Sequence, residues 1–307
     1  MINTYAYKKL TWIDLESPTR DEVRQVMEQY HVDPLVAQEL LTPSLKPKIQ
    51  KFDKFIYLIL NFPVSRRAEG KNKAASAQEV DFIVGKEFII TARYDTVDPL
   101  HRFARIFEVN SVLDKNDIGD HAGYIFFYMI EKIYQSLGNQ LESIDDQLIK
   151  IEEDIFAQRE KEMVFELSNV SRDLLDLKKA MAHHKMILGT FGTMSSAFFG
   201  KEFDGHSARL IEEYGKIEET IGGQFDLLEE LRSTNDSLLS TKQNEVMKFF
   251  TVITSVIFSV DLIVSLLTIN LASNPFAGVV NNYAITMGTV AIIAICMLGY
   301  FSYKKWL

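Results

Sequence analysis

The stretch FFTVITSVIFSVDLIVSLLTINL, residues 249–271, decides how this chain is organised. A helix of this length rises about 1.5 Å per residue and covers the roughly 30 Å hydrocarbon core of a bilayer. A second apolar run occupies residues 283–303, after a short segment, 272–282, that contains Pro275. The pattern predicts two transmembrane helices, 249–271 and 283–303, joined by an outer loop.

Charge is distributed very unevenly along the chain. Asp261 is the only formal charge between residues 249 and 303, although the whole chain has 33 Lys and Arg against 42 Asp and Glu, a net charge of −9. The acidic balance disfavours a general nucleic-acid binder, which needs a basic surface, and is compatible with a protein that handles cations. Cys296 is the only cysteine, which excludes an intrachain disulfide and a zinc site built from cysteines.

The flanks of the two apolar runs predict their orientation. Lys248 precedes the first run, Lys304 and Lys305 follow the second, and the segment between the runs carries no charge. Lysine and arginine flanks stay on the cytoplasmic side of a membrane. The sequence therefore predicts a multi-pass protein of the cell membrane with both termini in the cytoplasm.

Residues 1–122 are predicted to form a cytoplasmic α/β domain. The run FIYLILNF, Phe55–Phe62, has the length and composition of a buried strand, and residues 79–93 contain two strand-like runs around Gly85 and Lys86, which is typical of a hairpin. Capping-box spacing from Thr19 and an N-cap aspartate followed by Pro34 predict two short helices. The small and polar residues 65–77 are predicted to form a loop between strands.

From residue 123 onward the pattern becomes helical. Apolar residues recur every three or four positions between Ile133 and Ile155, which predicts the packing stripe of a long helix. A second helix is predicted from Glu160 to Gly189, antiparallel to the first, with a break over residues 189–205 because of their glycines. We expect long helices of a funnel over 123–206. A stalk helix over 207–248 is expected to continue into the first span.

Several segments in this order resemble the CorA family of divalent-cation transporters. They are WIDLESPT (residues 12–19), Asp33-Pro34, Pro47-Lys48, EVDFIVGKEFIIT (79–91), TKQNEVMKFFTVIT (241–254) and the ending YKKWL. The resemblance covers nearly the whole chain. It implies a homopentameric magnesium channel with a cytoplasmic α/β funnel, a first span that lines the pore and a second that faces lipid. It also implies that Mg²⁺ is both the transported ion and a regulatory ion in the cytoplasm.

The chain departs from the family at one motif. The family has Gly-Met-Asn at the outer end of the first span, and the matching positions here are Thr268-Ile269-Asn270. Because a β-branched threonine is stiffer and bulkier than glycine, we expect a reshaped outer mouth in which Asn270 remains as a metal contact. The change keeps two alternatives open. One is a zinc, cobalt or nickel transporter of the same fold, and the other is a non-conducting or ligand-gated membrane sensor or effector.

The resemblance marks Asn244 and Met247 as the inner pore entrance, and helical spacing extends a stripe outward from them. Steps of three and four residues place further side chains on the same face. Mg²⁺ gives up its water shell reluctantly, so amide and hydroxyl oxygens that contact the hydrated ion suit it. Met247 and Phe258 would form apolar constrictions. The predicted pore-lining residues are Asn244, Met247, Thr251, Thr254, Phe258, Asp261, Ser265 and Thr268.

Asp261 is the most informative residue of this stripe. A carboxylate near the middle of a bilayer costs at least about 2.5–3.5 kcal/mol on insertion scales, which argues for a position facing water or a partner. In a pentamer it would form a ring of five carboxylates that binds a cation. The alternative is a neutral acid that is hydrogen-bonded between helices.

Other polar groups are weaker candidates. His183 and His184 are adjacent and therefore point to different faces of a helix, which favours structural roles over a metal pair. An acidic segment between Glu212 and Asp236 is interpreted as a solvated face, with a cytoplasmic metal sensor as the alternative. No phosphate loop, nucleophile–base pair or zinc signature is present, so the sequence does not favour an enzyme.

Overall fold

The computed structural model describes residues 1–44, 46–63, 77–94, 100, 103–105, 107, 119–268 and 283–304. Most of the predicted loop 65–77, the predicted outer loop 272–282 and the motif residues Ile269 and Asn270 lie outside these ranges. The chain divides into two compact units. The first contains Met1–Ala157 and Glu162–Leu231, and the second contains Gln158–Lys161 and Arg232–Leu307.

A six-stranded sheet forms the centre of the first unit. Its strands lie in the order β1-β2-β6-β5-β4-β3, and only β2 and β6 run parallel to each other. The strands are β1 Ile2–Tyr7, β2 Leu10–Glu16, β3 Lys48–Lys51, β4 Phe55–Phe62, β5 Gln78–Gly85 and β6 Phe88–Arg93. The predicted strand and hairpin are confirmed in β4, β5 and β6, whereas β1, β2 and β3 were not predicted.

Two short helices cover one face of this sheet. Helix α1, Arg20–Tyr30, begins with the predicted capping box, in which Thr19 and Glu22 bond each other's backbone N–H groups. Helix α2, Pro34–Glu39, begins at Asp33, whose carboxylate accepts from the Leu35 backbone N–H. Apolar side chains of both helices pack on alternate residues of the strands. The predicted α/β domain is therefore observed in this part of the chain.

The opposite face of the sheet holds a buried polar network. The Arg93 guanidinium pairs with Asp14, with Nη2 and Oδ2 3.0 Å apart, and both side chains are buried. Thr91 donates to Asp14 and accepts from the indole N–H of Trp12. Because each acceptor in the network has a donor, the charges are tolerated inside the domain. The ring of Phe82 contacts that of Phe126, which brings the first long helix onto this face.

Five longer helices follow the sheet within the described ranges. They are α3 Ala122–Phe156, α4 Glu160–Met181, α5 His184–Phe199, α6 Asp204–Thr268 and α7 Tyr283–Tyr303, with a 3₁₀ turn at Lys201–Phe203 before α6. The stripe predicted on α3 is buried along its whole length, from Ile133 to Ile155. Helix α6 is a single helix of 65 residues that includes both the segment expected as a stalk, 207–248, and residues 249–268 of the first apolar run.

The predicted break over residues 189–205 is wrong for its first half. The chain is interrupted at Ala182 and His183 instead, and α5 passes through the glycines at 189 and 192 without interruption. A helical glycine costs about 1 kcal/mol, and burial of a side chain such as Phe191 offsets that cost. The helix ends at Gly200, whose φ of 108° suits glycine alone.

Candidate cation pathway

The C-terminal part of helix α6 contains residues 249–268 of the first apolar run. In the part of the chain that the structure describes, it is the one helix that is long and apolar enough to cross a membrane by length and composition. Helix α7 contains a shorter apolar stretch, Val290–Tyr303. The membrane-spanning segment and the long cytoplasmic helix predicted from the sequence are thus parts of a single continuous helix.

Seven of the eight predicted pore-lining residues, all except Thr268, lie on one exposed face of α6. Met247 and Phe258 are 67% and 70% exposed, which is unusual for large apolar side chains in a folded chain. The Thr251 hydroxyl donates to the Met247 carbonyl at 2.7 Å, so its lone pairs remain as acceptors. Thr268 is the last residue of α6, and the rest of the outer-mouth motif lies outside the described residues. The stripe exposed along α6 contains Asn244, Met247, Thr251, Thr254, Phe258, Asp261 and Ser265.

The other face of α6 is the one that is covered within a single chain. Val252 is 1% exposed, and half-buried residues follow it at helical spacing, namely Ser255, Val256, Ser259, Val260 and Ile263. Helix α7 likewise has one half-buried face, formed by Val290, Ile293, Ala294, Met297 and Phe301. The polar stripe with Asp261 therefore lies on the side of α6 that a single chain leaves uncovered, next to exposed apolar side chains such as Ile253, Ile257 and Leu262.

The acidic segment of α6 is largely a paired surface. Lys216 bonds Glu212 and Glu213 within one turn, at 3.1 and 2.9 Å. Glu218 accepts from the Tyr214 hydroxyl and pairs with Lys185 of α5. Among the described residues of one chain, no three His, Cys, Asp or Glu side chains are grouped closely enough to hold a metal ion. The interpretation as a solvated face fits these contacts.

His184 has the structural role predicted for the histidine pair. Its Nε2 lies 2.8 Å from the backbone oxygen of Asn61, and its Nδ1 lies 2.8 Å from the Tyr134 hydroxyl. Because a carbonyl only accepts, Nε2 carries the proton and Nδ1 accepts from Tyr134. Burial lowers the pKa of His184 to about 4. The ring is therefore a neutral link between β4, α3 and α5.

A buried carboxyl group in the sheet was missed by sequence reasoning. Asp81 on β5 is 1% exposed, and its Oδ2 accepts from the Tyr57 hydroxyl at 3.2 Å, while its Oδ1 has no hydrogen-bond partner among the described residues. Glu79, two residues earlier on the same strand, points to the same face. Burial, and then the charge of Glu79, raise the pKa of Asp81 well above its ordinary range. The sequence did contain a sign of this buried acid, because Asp81 stands inside the otherwise apolar run of β5.

We expect Asp81→Asn to raise the thermal stability of the full chain at pH 8. A carboxyl whose folded-state pKa is raised stabilises the fold below the unfolded-state pKa and loses that contribution as pH rises through the folded-state pKa. The amide keeps the acceptor for Tyr57 and removes the ionisation. The measurement is the melting temperature of the detergent-solubilised protein at pH 5 and pH 8, with the exposed Asp145→Asn as control. A lower melting temperature for Asp81→Asn at pH 8 would contradict a neutral buried acid.

Comparison with known proteins shows which family this sequence and fold resemble. Residues 7–305 match the family described as CorA-like Mg²⁺ transporter protein. The chain is 24% identical over 302 residues to the cobalt/magnesium transport protein CorA of Thermotoga maritima, covering 97% of this chain and 83% of that protein. The complete structure of the CorA magnesium transporter from Methanocaldococcus jannaschii superposes with a TM-score of 0.83 at 15% identity, over 99% of this chain and 94% of that one. The full-length CmaX protein superposes with a TM-score of 0.73 at 14% identity, over 97% and 88% of the two chains.

Proposed function

Because the chain belongs to the CorA-like Mg²⁺ transporter family, whose members are membrane ion transporters and not enzymes, we propose that it forms a homopentameric channel for divalent cations. Mg²⁺ is the foremost candidate for the transported ion. The pore runs along the exposed stripe of α6, and the cytoplasmic domain gates it. Both termini lie on the cytoplasmic side of the cell membrane, as the lysines at 248, 304 and 305 predict.

The observation that carries this proposal is the uncovered polar face of α6. Asp261 and several hydroxyl and amide side chains are exposed along a helix whose opposite face is covered by its own chain. Hydroxyls and a carboxylate facing hydrocarbon would be costly. One helix cannot enclose a pore, so the polar faces of several copies meet around an axis. Each residue of the stripe then forms a ring.

The chemistry of these rings suits a hydrated divalent cation. Asn244 at the inner end and Thr251 and Thr254 beyond it offer oxygen atoms to the water shell of Mg²⁺. Asp261 supplies the negative charge and Asn270 a metal contact at the outer mouth. Met247 and Phe258 form apolar constrictions that gate by excluding water. Helix α7 lies outside this ring and contacts lipid.

Ion flux into proteoliposomes tests the proposed function. Vesicles containing the purified protein and a divalent-sensitive dye are expected to take up Mg²⁺ faster than empty vesicles, with Co²⁺ as a competing or transported ion. Uptake of Zn²⁺, Co²⁺ or Ni²⁺ without uptake of Mg²⁺ would favour the alternative transporter of the same fold. Absence of uptake for all of these ions would favour a non-conducting sensor or effector and would overturn the proposal.

The proposed assembly predicts a defined mass. Native mass spectrometry of the protein in detergent is expected to give five copies of the 35.2 kDa chain. Only a ring of chains brings the stripes of α6 together, so the pathway requires such an assembly. A monomer or a dimer as the sole species under conditions that preserve flux would contradict this arrangement.

A further inference from the structure

An ion pair connects the start of α4 to α6 within the second unit. The Nζ atom of Lys242 donates to Oε2 of Glu160 at 2.7 Å. The two residues are 82 positions apart in sequence, so the contact is a tertiary one and not a pair within one helix. The Glu160 side chain is 5% exposed and that of Lys242 is 44% exposed. The carboxylate is therefore largely enclosed, and the ammonium group reaches it from solvent.

The charge on Glu160 is well supported by its surroundings. The hydrogen bond from Lys242, and then a backbone hydrogen bond at its own position, lower the pKa of Glu160. Glu160 is also the first residue of α4, where the positive end of the helix dipole favours a carboxylate. The pair is thus an ionised contact at neutral pH, and it depends on both partners.

The ion pair fixes a tight turn against α6. Helix α3 ends at Phe156 and α4 begins at Glu160, and the reversal between them passes through Gln158, whose φ of 68° is left-handed. Such a turn has little freedom to stretch. A displacement of Lys242 relative to this turn therefore requires the ion pair to break or the turn to move with α6.

Lys242 lies immediately before the proposed ion pathway on the same rigid helix. It precedes Asn244 by two residues and Met247 by five, which corresponds to roughly 3 Å and 7.5 Å along the helix axis. A shift or rotation of α6 at Lys242 is transmitted to these positions because the helix is continuous. The ion pair itself lies below the pathway and contributes no ligand to it.

The buried stripe of α6 changes from apolar to polar residues close to this contact. Leu228 and Leu231 are buried, but the next position of the same stripe is Asn235, which is 1% exposed. Neither amide atom of Asn235 has a hydrogen-bond partner among the described residues. A buried polar group left unpaired costs about 1–3 kcal/mol, so packing here is less favourable than along the leucines. Lys242 lies two turns later on the same face, where it forms the ion pair with Glu160.

We propose that Glu160 and Lys242 are positioning residues that set the gating of the ion pathway. Their ion pair holds α6 in the arrangement seen here, and breaking it shifts the balance between conducting and non-conducting arrangements. Ion binding in the pore is unchanged. The inference rests on the proposed function, because gating has meaning only if the protein conducts.

Two single variants test this with opposite changes of charge. Mg²⁺ flux of Glu160→Gln and of Lys242→Gln in proteoliposomes is expected to change in the same direction, by at least about fivefold, as is usual for conformational coupling. A purely electrostatic effect on the local cation concentration predicts opposite directions, since one variant removes a negative and the other a positive charge. Lys161→Gln and Glu162→Gln, at exposed positions of the same helical turn, are the matched controls and should match the wild type.

The charge-reversed double variant Glu160→Lys with Lys242→Glu distinguishes an effect of the ion-pair contact from an effect of the individual charges. It is expected to bring flux to within about fivefold of the wild type and closer to it than either single variant, because the pair is re-formed with its signs exchanged. Restoration is incomplete because the lysine then lies at the positive end of the α4 dipole. The ratio of Mg²⁺ to Co²⁺ flux should stay the same in the two single variants, the double variant and the two controls. Assembly is checked by the elution volume and melting temperature of each protein.

The outcomes distinguish this inference from the function on which it rests. Absence of flux in the wild type would overturn the proposed function and the inference with it. A conducting wild type with unaffected or oppositely affected single variants would overturn the inference alone. If a single variant fails to assemble, the double variant is used for the decision. A double variant that assembles normally but whose flux differs from the wild type by more than fivefold would also overturn the inference.

Discussion

Asp261→Asn is expected to lower Mg²⁺ flux by about tenfold or more while the assembly stays intact. The change keeps the size and hydrogen-bonding capacity of the side chain and removes one charge per chain, the only formal charge between residues 249 and 303. Two unit charges 4 Å apart attract each other by about 4 kcal/mol at an effective dielectric constant of 20. Loss of even a third of that attraction corresponds to about tenfold in ion affinity.

The measurement is the initial rate of Mg²⁺ uptake into proteoliposomes, normalised to the amount of assembled protein. Asp146→Asn, the same chemical change at an exposed position of α3, is the control and should behave as the wild type. If Asp261 is instead a neutral acid bonded between helices, Asp261→Asn should leave flux unchanged and alter only the melting temperature. That result would remove the carboxylate ring from the proposed pathway.

The sequence predicted those elements whose signals are local. The capping box at Thr19, the Asp33-Pro34 helix start and the hairpin at Gly85 each depend on a few neighbouring residues, and the structure confirms all three. The continuity of α6 was also predictable, because no proline occurs between Ser207 and Pro275. Strand β1 was missed although it pairs with the adjacent β2, because the turn between them, Lys8-Lys9, carries no glycine, asparagine or aspartate. Strand β2 was missed because one of its partners is distant in sequence. Strand β2 pairs with β6, some 77 residues later in the chain.

Tertiary packing explains the errors in the helical part. The glycines at 189 and 192 predicted a break, but the buried side chains of α5 outweigh their helix-breaking tendency. The interruption at His183 had no sequence signal, because it follows from the burial of His184 between other elements. The ion pair of Glu160 with Lys242 was likewise not predictable, because the two charged residues are distant in sequence and only the tertiary fold brings them into contact.

The sequence predicted which residues of the candidate pathway lie on one helix face, but not how that face is arranged in an assembly. The resemblance supplied Asn244 and Met247, and helical spacing from them placed Thr251 and Asp261 on the same face. Asn244, Thr251 and Asp261 are all exposed on α6. The sequence of one chain does not determine which face meets other chains. What the structure adds is that the opposite face, beginning at Val252, is covered within the chain itself. The proposed contacts between copies would therefore be made by the polar face.

Acid is expected to destabilise the cytoplasmic domain through His184. Its folded-state pKa of about 4 lies below the ordinary value of 6.5, so the unfolded chain binds a proton between these pH values and the folded chain does not. Stability from this group is therefore complete above about pH 6.5 and declines as pH falls towards 4, by about 3 kcal/mol. Protonation would place a hydrogen on Nδ1, where the Tyr134 hydroxyl now donates.

Unfolding of the wild type and of His184→Gln should be followed between pH 4 and pH 7.5 in detergent. The other groups titrate alike in both proteins, so the difference between their unfolding free energies isolates this histidine. We expect the wild type to lose about 3 kcal/mol relative to the variant on acidification. His183→Gln, at the exposed neighbouring position, should follow the wild type. Parallel curves for the wild type and His184→Gln would show that position 184 is not held neutral, and the link between β4, α3 and α5 would need another explanation.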